Sequence, residues 1–315
     1  MISLGGNVFH SFHWSLYSQA DKPGSEIIFV ELKNQNDELC CLSPLYLRKS
    51  SIPVLGKFRS TLQFDAPPCA LNEDAKLEFL NQARNQFGNF IAKPEIRLGS
   101  FYAQSKIEQL EASVSRRRLE FPLKINEEAV EKKFSSRRKR QLNKSKKSSL
   151  EFLECDFEEG FSTLCRLQGR SNQRIAGRGG PSLAEIQESS RDRYSKFFNS
   201  GFLKFLGAKK DGSLEGLVLI SFFANKAYYH QACHSDIGFA SGSPTFLVKE
   251  AIELAKSKGT LEFNLGGTGE DARNPDSPEH GLWEFKKSFG SDEVELSDLN
   301  IPRSYLGSKP LVKKG

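Results

Sequence analysis

Three strand-like segments in the second half of the chain are separated by two-residue turns, and this pattern restricts the fold more than any other. The segments span residues 202–209, 214–223 and 226–232. Asp211-Gly212 and Ala224-Asn225 lie between them, and both pairs suit tight hairpins. Pro244 then begins a predicted helix that extends to residue 257, followed by a strand over 261–264. The pattern predicts an α/β (α+β) domain with a mixed sheet flanked by helices.

The last predicted strand leads into a glycine-rich segment. Residues 261–290 have the sequence LEFNLGGTGEDARNPDSPEHGLWEFKKSFG. This sequence predicts a strand, a break at Gly266 and Gly267, a polar loop and then an amphipathic helix that carries Trp283. Glycine adopts backbone conformations that other residues avoid, so a glycine break after a strand is typical of ligand sites. Lys286 and Lys287 follow on the helix and place two cations near that break.

The combination of FNLGG, a loop and GLWEFKKSFG resembles the C-terminal end of the FemABX peptidyltransferases. It also resembles the related BioF2-like acetyltransferase domains, and both groups are branches of the GNAT fold. The resemblance extends upstream through the basic run at 135–147 and residues 202–258. It implies two tandem GNAT-like domains, a degenerate one at 1–116 and the transferase domain at 117–300, with a tail at 301–315. The sequence shows no internal repeat, so the duplication follows from the resemblance alone.

The first of these domains shows no obvious site residues. Its sequence predicts a hairpin of residues 26–33 and 39–48, a strand over 61–64, a helix over 73–87 and a strand over 95–98. In the second domain, Asn126 is a suitable N-cap, with Glu127 and Glu128 in the first turn of a helix that would continue into the basic run. A further helix is predicted over 157–167, and another from Ser182 to residue 199.

The resemblance also implies a role for Lys286, which matches the lysine of the family's Phe-Lys pair. In that role it lines the substrate channel and neutralises phosphates of the donor or the acceptor. The further candidates for substrate or phosphate binding lie in the same segment: Asn264, Gly266, Gly267, Arg273 and Lys287. The alternative is an ordinary lysine on a surface helix.

Amide formation by acyl transfer needs a neutral amine, an acceptor for its proton and donors aimed at the developing oxyanion. His230 is the first candidate base, because it lies toward the end of a predicted strand and histidine titrates near neutral pH. Alternation along that strand predicts that His230 and Gln231 point to opposite faces. His280 and Glu284, beside the glycines, are alternative catalytic candidates. A structural role for His230 is the other interpretation, and a substrate group can also accept the proton.

The positive charge is concentrated in one segment. The net charge is +6, yet residues 132–147 contain nine basic residues and no acidic one, so the rest of the chain is net negative. A concentrated basic patch suits RNA or a phosphate-bearing substrate. The candidate nucleic-acid contacts are Arg137, Arg138, Arg140 and Lys144. The alternative is a solvated helix face.

The acyl donor stays open between aminoacyl-tRNA and acyl-CoA, and no permanently bound cofactor is expected. A CoA-dependent GNAT enzyme holds the pyrophosphate on a glycine loop at a helix N-terminus. The corresponding loop, 234–243, lacks the glycine pattern that such enzymes carry. Residues 174–179 match that pattern but follow a helix rather than a strand, so we interpret the match as accidental. The missing loop favours aminoacyl-tRNA.

Several classes of protein are excluded by missing motifs. The chain has no HExxH, CxxC, P-loop or GxSxG motif, which argues against a metalloprotease, a zinc module, an NTPase and an α/β-hydrolase, and predicts no metal site. The six cysteines suit reduced thiols. No apolar run approaches the roughly 20 residues that span a bilayer, and no signal peptide is evident. A cytoplasmic protein is therefore expected.

Three functions are compatible with these patterns. The favoured one is FemABX-like transfer of an aminoacyl or acyl group to an amine acceptor, with or without a phosphate group. The second is acetyl-CoA-dependent N-acetylation of an amino sugar or small amine. The third is a non-enzymatic RNA-binding protein. The acceptor, the acyl group and the oligomeric state are not predicted.

Overall fold

The chain forms a mixture of strands and helices, as the sequence predicts. The computed structural model describes residues 2–50, 59–88, 92–101, 112–126, 130–177, 186 and 188–305. The strands are β1 Ser25–Lys33, β2 Leu39–Lys49, β3 Ser60–Phe64, β4 Cys69–Ala70, β5 Ala92–Lys93, β6 Glu95–Leu98, β7 Ser113–Lys124, β8 Glu151–Cys155, β9 Leu203–Lys210, β10 Ser213–Phe223, β11 Lys226–His234, β12 Glu262–Gly269, β13 Val294–Ile301 and β14 Ser304–Tyr305. The helices are α1 Phe12–Gln19, α2 Glu73–Gln86, α3 Ser136–Lys147, α4 Phe157–Ala176, α5 Arg191–Asn199, α6 Asp236–Ser241, α7 Ser243–Ser257 and α8 His280–Lys287.

The first of two compact units contains the residues up to Arg118 and those from Glu295 onward. Its sheet has the order β1-β2-β3-β6-β13, followed by the first half of β7, with β4 paired to β2. The pairing is mixed, since β3 and β6 are parallel whereas β2 is antiparallel to both β1 and β3. Helix α2 packs on this sheet through buried Phe79 and Leu80. The chain from Glu295 thus returns to the first unit, whereas the sequence-based boundaries placed 117–300 in the second domain.

The second unit, Leu119–Val294, contains the predicted meander. Its sheet begins with the second half of β7 and continues in the order β12-β11-β10-β9-β8. Strands β8 to β11 are antiparallel, and β11 and β12 are parallel. Helices α3 and α7 share one buried core with Phe121, Ile220 and Phe263, whereas α4 and α5 pack against β9 to β11. A mixed sheet flanked by helices, the predicted fold class, is therefore confirmed.

Parallel strands β11 and β12 pair over a short distance and then diverge. The paired residues are Lys226 with Glu262, Ala227 with Phe263, and Tyr228 with Asn264. Both strands continue beyond this point, to His234 and Gly269. The pairing thus ends toward the C-terminal ends of two parallel strands, where ligands commonly bind in α/β folds.

Two local predictions in the second unit were wrong. Strand β12 continues through Gly266 and Gly267 to Gly269, where the sequence predicted a break. Most of the predicted loop 234–243 is helix α6, which begins after Ser235, whose hydroxyl accepts a hydrogen bond from Gly238 N at 2.9 Å. Side-chain capping of this kind stabilises a helix that its own short sequence does not predict.

The basic run also begins its helix later than predicted. A 3₁₀ turn spans Val130–Lys133, and α3 starts at Ser136 after the N-cap Ser135, whose hydroxyl accepts from Arg138 N at 3.3 Å. The predicted first-turn residues Glu127 and Glu128 lie outside the described residues. The predicted helix start Ser182 also lies outside them, as do residues 178 and 179 of the glycine pattern. Within the described ranges, no helix is both long and apolar enough to cross a membrane.

Candidate functional site

Lys286 is buried where β11 and β12 diverge. Its side chain is on the inner surface of α8, and the residue is only 4% exposed. The Nζ atom donates a hydrogen bond to Gly267 O at 2.8 Å and lies 5.7 Å from the centroid of the Phe121 ring. A buried ammonium loses hydration, which costs free energy unless protein groups replace the water. The structure therefore holds this lysine in one place, unlike a lysine on a surface helix.

Gly266 brings strand β12 close to both β11 and Lys286. Its φ angle is +74°, in the left-handed region that favours glycine. A Cβ atom at this position would lie 2.6 Å from Tyr229 O and 3.5 Å from Lys286 Nζ. Any side chain at residue 266 would thus push against the β11 backbone. The glycine is needed for this close approach, and it leaves the Lys286 ammonium beside the diverging strands.

Glu293 organises the other cations near α8. Its carboxylate accepts from Trp283 Nε1 at 2.7 Å and from Arg273 Nε at 2.9 Å, and lies 4.0 Å from Lys287 Nζ. Burial alone raises the pKa of Glu293, but the hydrogen bonds from Trp283 and Arg273 and the charges of Arg273 and Lys287 outweigh it and lower that pKa. Arg273 and Lys287, both predicted to bind phosphate, are therefore engaged by this carboxylate.

The two alternative catalytic candidates lie on the same helix as Lys286. The His280 ring has Nδ1 at 3.0 Å from Ala272 O and stacks on Trp283, with ring centroids 5.4 Å apart. Glu284 is exposed and forms an ion pair with Arg137 at 3.5 Å. Helix α8 thus groups His280, Glu284 and Lys286, and its contact with Arg137 connects it to the basic helix α3.

His230 is half-buried and hydrogen-bonded. Its Nε2 atom lies 2.7 Å from Ser221 Oγ, and its ring lies 6.1 Å from Phe197 and 5.0 Å from Tyr228, centroid to centroid. Burial lowers the pKa of His230 to about 3, because an imidazolium would lose its hydration there. The ring is therefore neutral at physiological pH.

A β-bulge at His230 changes which side chains share a face. On β10, Leu219 lies opposite Gln231, and Ser221 lies opposite Tyr228. The step from Leu219 to Ser221 is two residues, whereas the step from Gln231 to Tyr228 is three. Strand β11 therefore has one extra residue, as in a β-bulge. Opposite residues in an antiparallel pair point to one face, so Tyr228, Gln231 and the Ser221-bound His230 all lie on the same face. The predicted separation of His230 from Gln231 was wrong because the bulge interrupts the alternation.

Glu120 is a buried acid that the sequence analysis missed. It lies on β7 and is 1% exposed. Its carboxylate accepts from Tyr228 OH at 3.0 Å and from Asn264 Nδ2 at 2.8 Å, and Asn264 Oδ1 accepts from Gly266 N at 2.8 Å. The sequence signal that could have identified Glu120 is its position in a predicted strand between two apolar residues, Leu119 and Phe121.

The sheet separates His230 from Lys286. Glu120 and Phe121 are successive strand residues and therefore point to opposite faces. Lys286 lies near the Phe121 ring, whereas His230 lies beside Tyr228, which binds Glu120. The two strongest candidates from the sequence are thus on opposite faces of the sheet.

The basic helix α3 has one buried cation among exposed ones. Arg138 is 7% exposed, donates from Nη1 to Thr245 Oγ1 at 2.9 Å and stacks over Phe285 at 4.7 Å. Burial, followed by the nearby charge of Arg137, lowers the pKa of Arg138 to about 10, so it stays protonated at neutral pH. The other three predicted nucleic-acid contacts are exposed: Arg137, Arg140 and Lys144.

The first turn of α7 is buried. Ser243 and Thr245 are 0% and 1% exposed, and Ser243 Oγ lies 2.9 Å from His234 Nδ1. Helix α6 ends directly before this turn, and Gly242 joins the two helices with a φ of +83° and no side-chain cap. Helix α6 therefore occupies the segment in which a GNAT enzyme would have its open pyrophosphate loop.

Comparison with solved structures identifies the architecture. The crystal structure of FemX superimposes with a TM-score of 0.72 at 12% sequence identity, covering 94% of this chain and 92% of that one. This chain has the fold of FemX. The FemABX resemblance of the C-terminal motif is thus confirmed at the level of the fold, and the similarity includes both compact units.

Other solved structures share the fold at lower similarity. One is the C-terminal domain of a protein described as a lysylphosphatidylglycerol synthetase from Agrobacterium fabrum, with a TM-score of 0.54, 15% identity, and 93% and 87% of the two chains covered. Another is L-PGS from Bacillus licheniformis, with a TM-score of 0.51, 12% identity, and 97% and 89% covered. No family model matches the chain. No curated protein matches it either.

Proposed function

We propose that the protein is an acyltransferase that moves an aminoacyl group to an amine acceptor. The observation that carries the proposal is the buried Lys286, whose ammonium is fixed at Gly267 where β11 and β12 diverge. The FemX fold and the FKKSFG motif support the same reaction class. The name of the Agrobacterium fabrum protein denotes synthesis of an aminoacylated lipid, which also fits this class.

In the proposed reaction, the amine nitrogen of the acceptor attacks the ester carbonyl carbon of the aminoacyl donor. A C–N bond forms, the ester C–O bond breaks, and the leaving ribose oxygen finally takes the proton that the amine loses. Negative charge develops on the carbonyl oxygen during attack, and a fixed cation in a dry site stabilises such charge strongly. Lys286 is in a position to supply that stabilisation or to neutralise a substrate phosphate. His230, neutral and bound to Ser221, lies across the sheet from this cation.

The preferred donor is aminoacyl-tRNA. The buried first turn of α7 supports this choice over acyl-CoA, since pyrophosphate binding at a helix N-terminus uses backbone N–H groups that the ligand can reach. The exposed cations of α3 supply a surface for RNA phosphates through Arg137, Arg140 and Lys144. The ion pair between Arg137 and Glu284 places one end of that surface next to α8.

A thermal-shift titration combined with a transfer assay tests this proposal. The purified protein is titrated with mixed aminoacyl-tRNA, uncharged tRNA, CoA and acetyl-CoA at two salt concentrations. We expect charged tRNA to raise the melting temperature more than uncharged tRNA, and high salt to weaken both effects. Transfer to amines is then followed with radiolabelled aminoacyl-tRNA.

The other outcomes favour the alternative functions. A rise with CoA ligands alone would replace the proposal with acetyl-CoA-dependent N-acetylation. An equal response to charged and uncharged tRNA, with no transfer to any amine, would replace it with non-enzymatic RNA binding.

A further inference from the structure

Glu120 links the last paired residues of the two diverging strands. Its carboxylate accepts one hydrogen bond from Tyr228 on β11, at 3.0 Å, and one from Asn264 on β12, at 2.8 Å. Tyr228 and Asn264 are opposite each other and end the parallel pairing of β11 and β12. A third strand, β7, thus supplies one carboxylate that joins both strands at the point from which they separate.

The same network continues toward Lys286. The Asn264 side chain donates to Glu120 through Nδ2 and accepts from Gly266 N through Oδ1, at 2.8 Å in each case. Gly266 is followed by Gly267, whose carbonyl accepts from Lys286 Nζ at 2.8 Å. The orientation of one amide side chain therefore fixes the backbone that holds the ammonium. Glu120 determines that orientation, because a carboxylate accepts hydrogen bonds only and so binds the NH₂ end of the amide.

The network has a cost that core packing alone does not explain. Glu120 is 1% exposed, and burying a carboxylate costs desolvation free energy that an apolar side chain in the same place would not. Strand β7 has apolar residues on both sides of it, Leu119 and Phe121, both fully buried. A leucine at residue 120 would continue this apolar strand, but it would not hold Tyr228 and Asn264.

We propose that Glu120 is a positioning residue that sets the separation of β11 and β12 and, through Asn264 and Gly266, the location of the Lys286 ammonium. The geometric part of this inference is independent of the reaction. Its consequence for transfer rests on the proposed acyltransferase function.

Chemical labelling of lysine tests the geometric part without any substrate. The protein is treated briefly with an amine-reactive reagent, and labelling of Lys286 is quantified by peptide mass spectrometry, with its neighbour Lys287 as the internal reference. In wild type, Lys286 is expected to react slowly because it is buried. Glu120→Ala should raise its labelling rate roughly two- to ten-fold, the range expected when one net hydrogen bond is lost.

Two further variants make the result specific. Glu120→Gln should retain slow labelling, because the glutamine oxygen accepts from Asn264 while its NH₂ group donates to the Tyr228 hydroxyl oxygen. Glu215→Ala is the matched control, since Glu215 is also a buried acid of the same unit, at 8% exposure, but binds Ser235. If Glu120→Ala does not fold, Tyr228→Phe removes one hydrogen bond from the carboxylate and keeps the ring. Unchanged labelling of Lys286 in the folded Glu120 or Tyr228 variant, or an equal rise in Glu215→Ala, would overturn the proposal.

The transfer assay separates this inference from the proposed function. If transfer is observed, Glu120→Ala should lower kcat with little change in KM, and Glu120→Gln should restore most of the rate. If wild type shows no transfer but the labelling pattern holds, the proposed function fails and the positioning role stands. If transfer is observed but the labelling pattern is absent, the proposed function stands and the positioning role of Glu120 fails.

Discussion

Helices α8 and α3 both carry clustered cations, but they present them in opposite ways. On α8, Lys286 is buried and bonded to the Gly267 carbonyl. On α3, Arg137, Arg140 and Lys144 point into solvent. A buried cation acts over a few ångströms at a fixed position, whereas exposed cations act over a Debye length of roughly 10 Å and are screened by salt. Under the proposed function, this difference corresponds to two separate tasks, with Lys286 acting at the reacting groups and the exposed cations of α3 attracting a polyanion.

The largest expected effect comes from removing the buried cation. Lys286→Ala should reduce the transfer rate by about 10²- to 10³-fold, the loss typical of one electrostatic donor at a reacting centre. Lys287→Ala is the matched control, because this adjacent lysine is partly exposed and pairs with Glu293. It should change the rate by less than about three-fold, as for other exposed ion pairs. Steady-state rates measure both variants, and similar losses would mean that burial does not mark the reactive cation.

Reversing the exposed cations should weaken RNA binding instead. The triple substitution of Arg137, Arg140 and Lys144 to Glu should lower tRNA affinity by about 10- to 100-fold at low salt, since each phosphate contact contributes through counterion release. The slope of log affinity against log salt should become shallower by about 0.7 to 0.9 for each lost contact. Filter binding across a salt series measures both quantities.

The controls for this triple variant come from salt and from another surface. At high salt the variant and wild type should converge, because screening removes the contribution of exposed charge. Lys196→Glu on α5, an exposed position paired with Asp192, should leave tRNA affinity unchanged. A loss of tRNA affinity that persists unchanged at high salt would contradict the idea that the exposed cations of α3 attract tRNA by long-range electrostatics.

Much of the fold was predictable because the decisive signals are local. Asp211 and Ala224 adopt positive φ angles in the two predicted tight turns, and the helix predicted over 73–87 is α2. Gly259, also with positive φ, follows α7 near its predicted end. Turns, caps and hydrophobic periodicity depend on a few neighbouring residues, so a single sequence contains them. The six-residue helix α6 was missed because a helix so short has little periodicity.

The candidate site was less predictable because it depends on pairing between distant segments. The motif predicted Lys286, but its burial follows from Gly267 and Phe121, which come from β12 and β7. The bulge at His230 is visible only in the register of β11 against β10. The hydrogen bonds that join Glu120 to Tyr228 and Asn264 cross more than 100 residues of sequence. Composition likewise cannot show that Arg138, within the basic run, is the residue that faces inward.

Arg138 provides a test of burial within the basic helix itself. Arg138→Ala should lower the free energy of unfolding by about 1–3 kcal/mol, because it removes the packing on Phe285 and leaves Thr245 without this donor. Arg137→Ala, one residue earlier, should cost less than about 0.5 kcal/mol, as for exposed ion pairs. Urea unfolding measures both, and Arg138→Met should recover part of the loss by filling the space. Equal losses of stability in the two alanine variants would mean that the buried contacts of Arg138 do not stabilise α3 more than the exposed ion pair of Arg137 does.

The smallest expected effect concerns His230 and the pH dependence of stability. The pKa of His230 is about 3 in the folded state, below the usual unfolded value of about 6.5. The unfolded chain therefore binds more protons between these values, so the free energy of unfolding falls as pH decreases below about 6.5. This one ring should lower the free energy of unfolding by up to about 2 kcal/mol at pH 5, and it should have no such effect above pH 8. His230→Gln keeps a hydrogen-bonding group near Ser221 without a titrating ring. In urea unfolding from pH 8 to pH 5, the difference in the free energy of unfolding between wild type and this variant should shrink as the pH falls. Parallel curves would mean that His230 is not held neutral in the fold, and would return it to consideration as a proton acceptor.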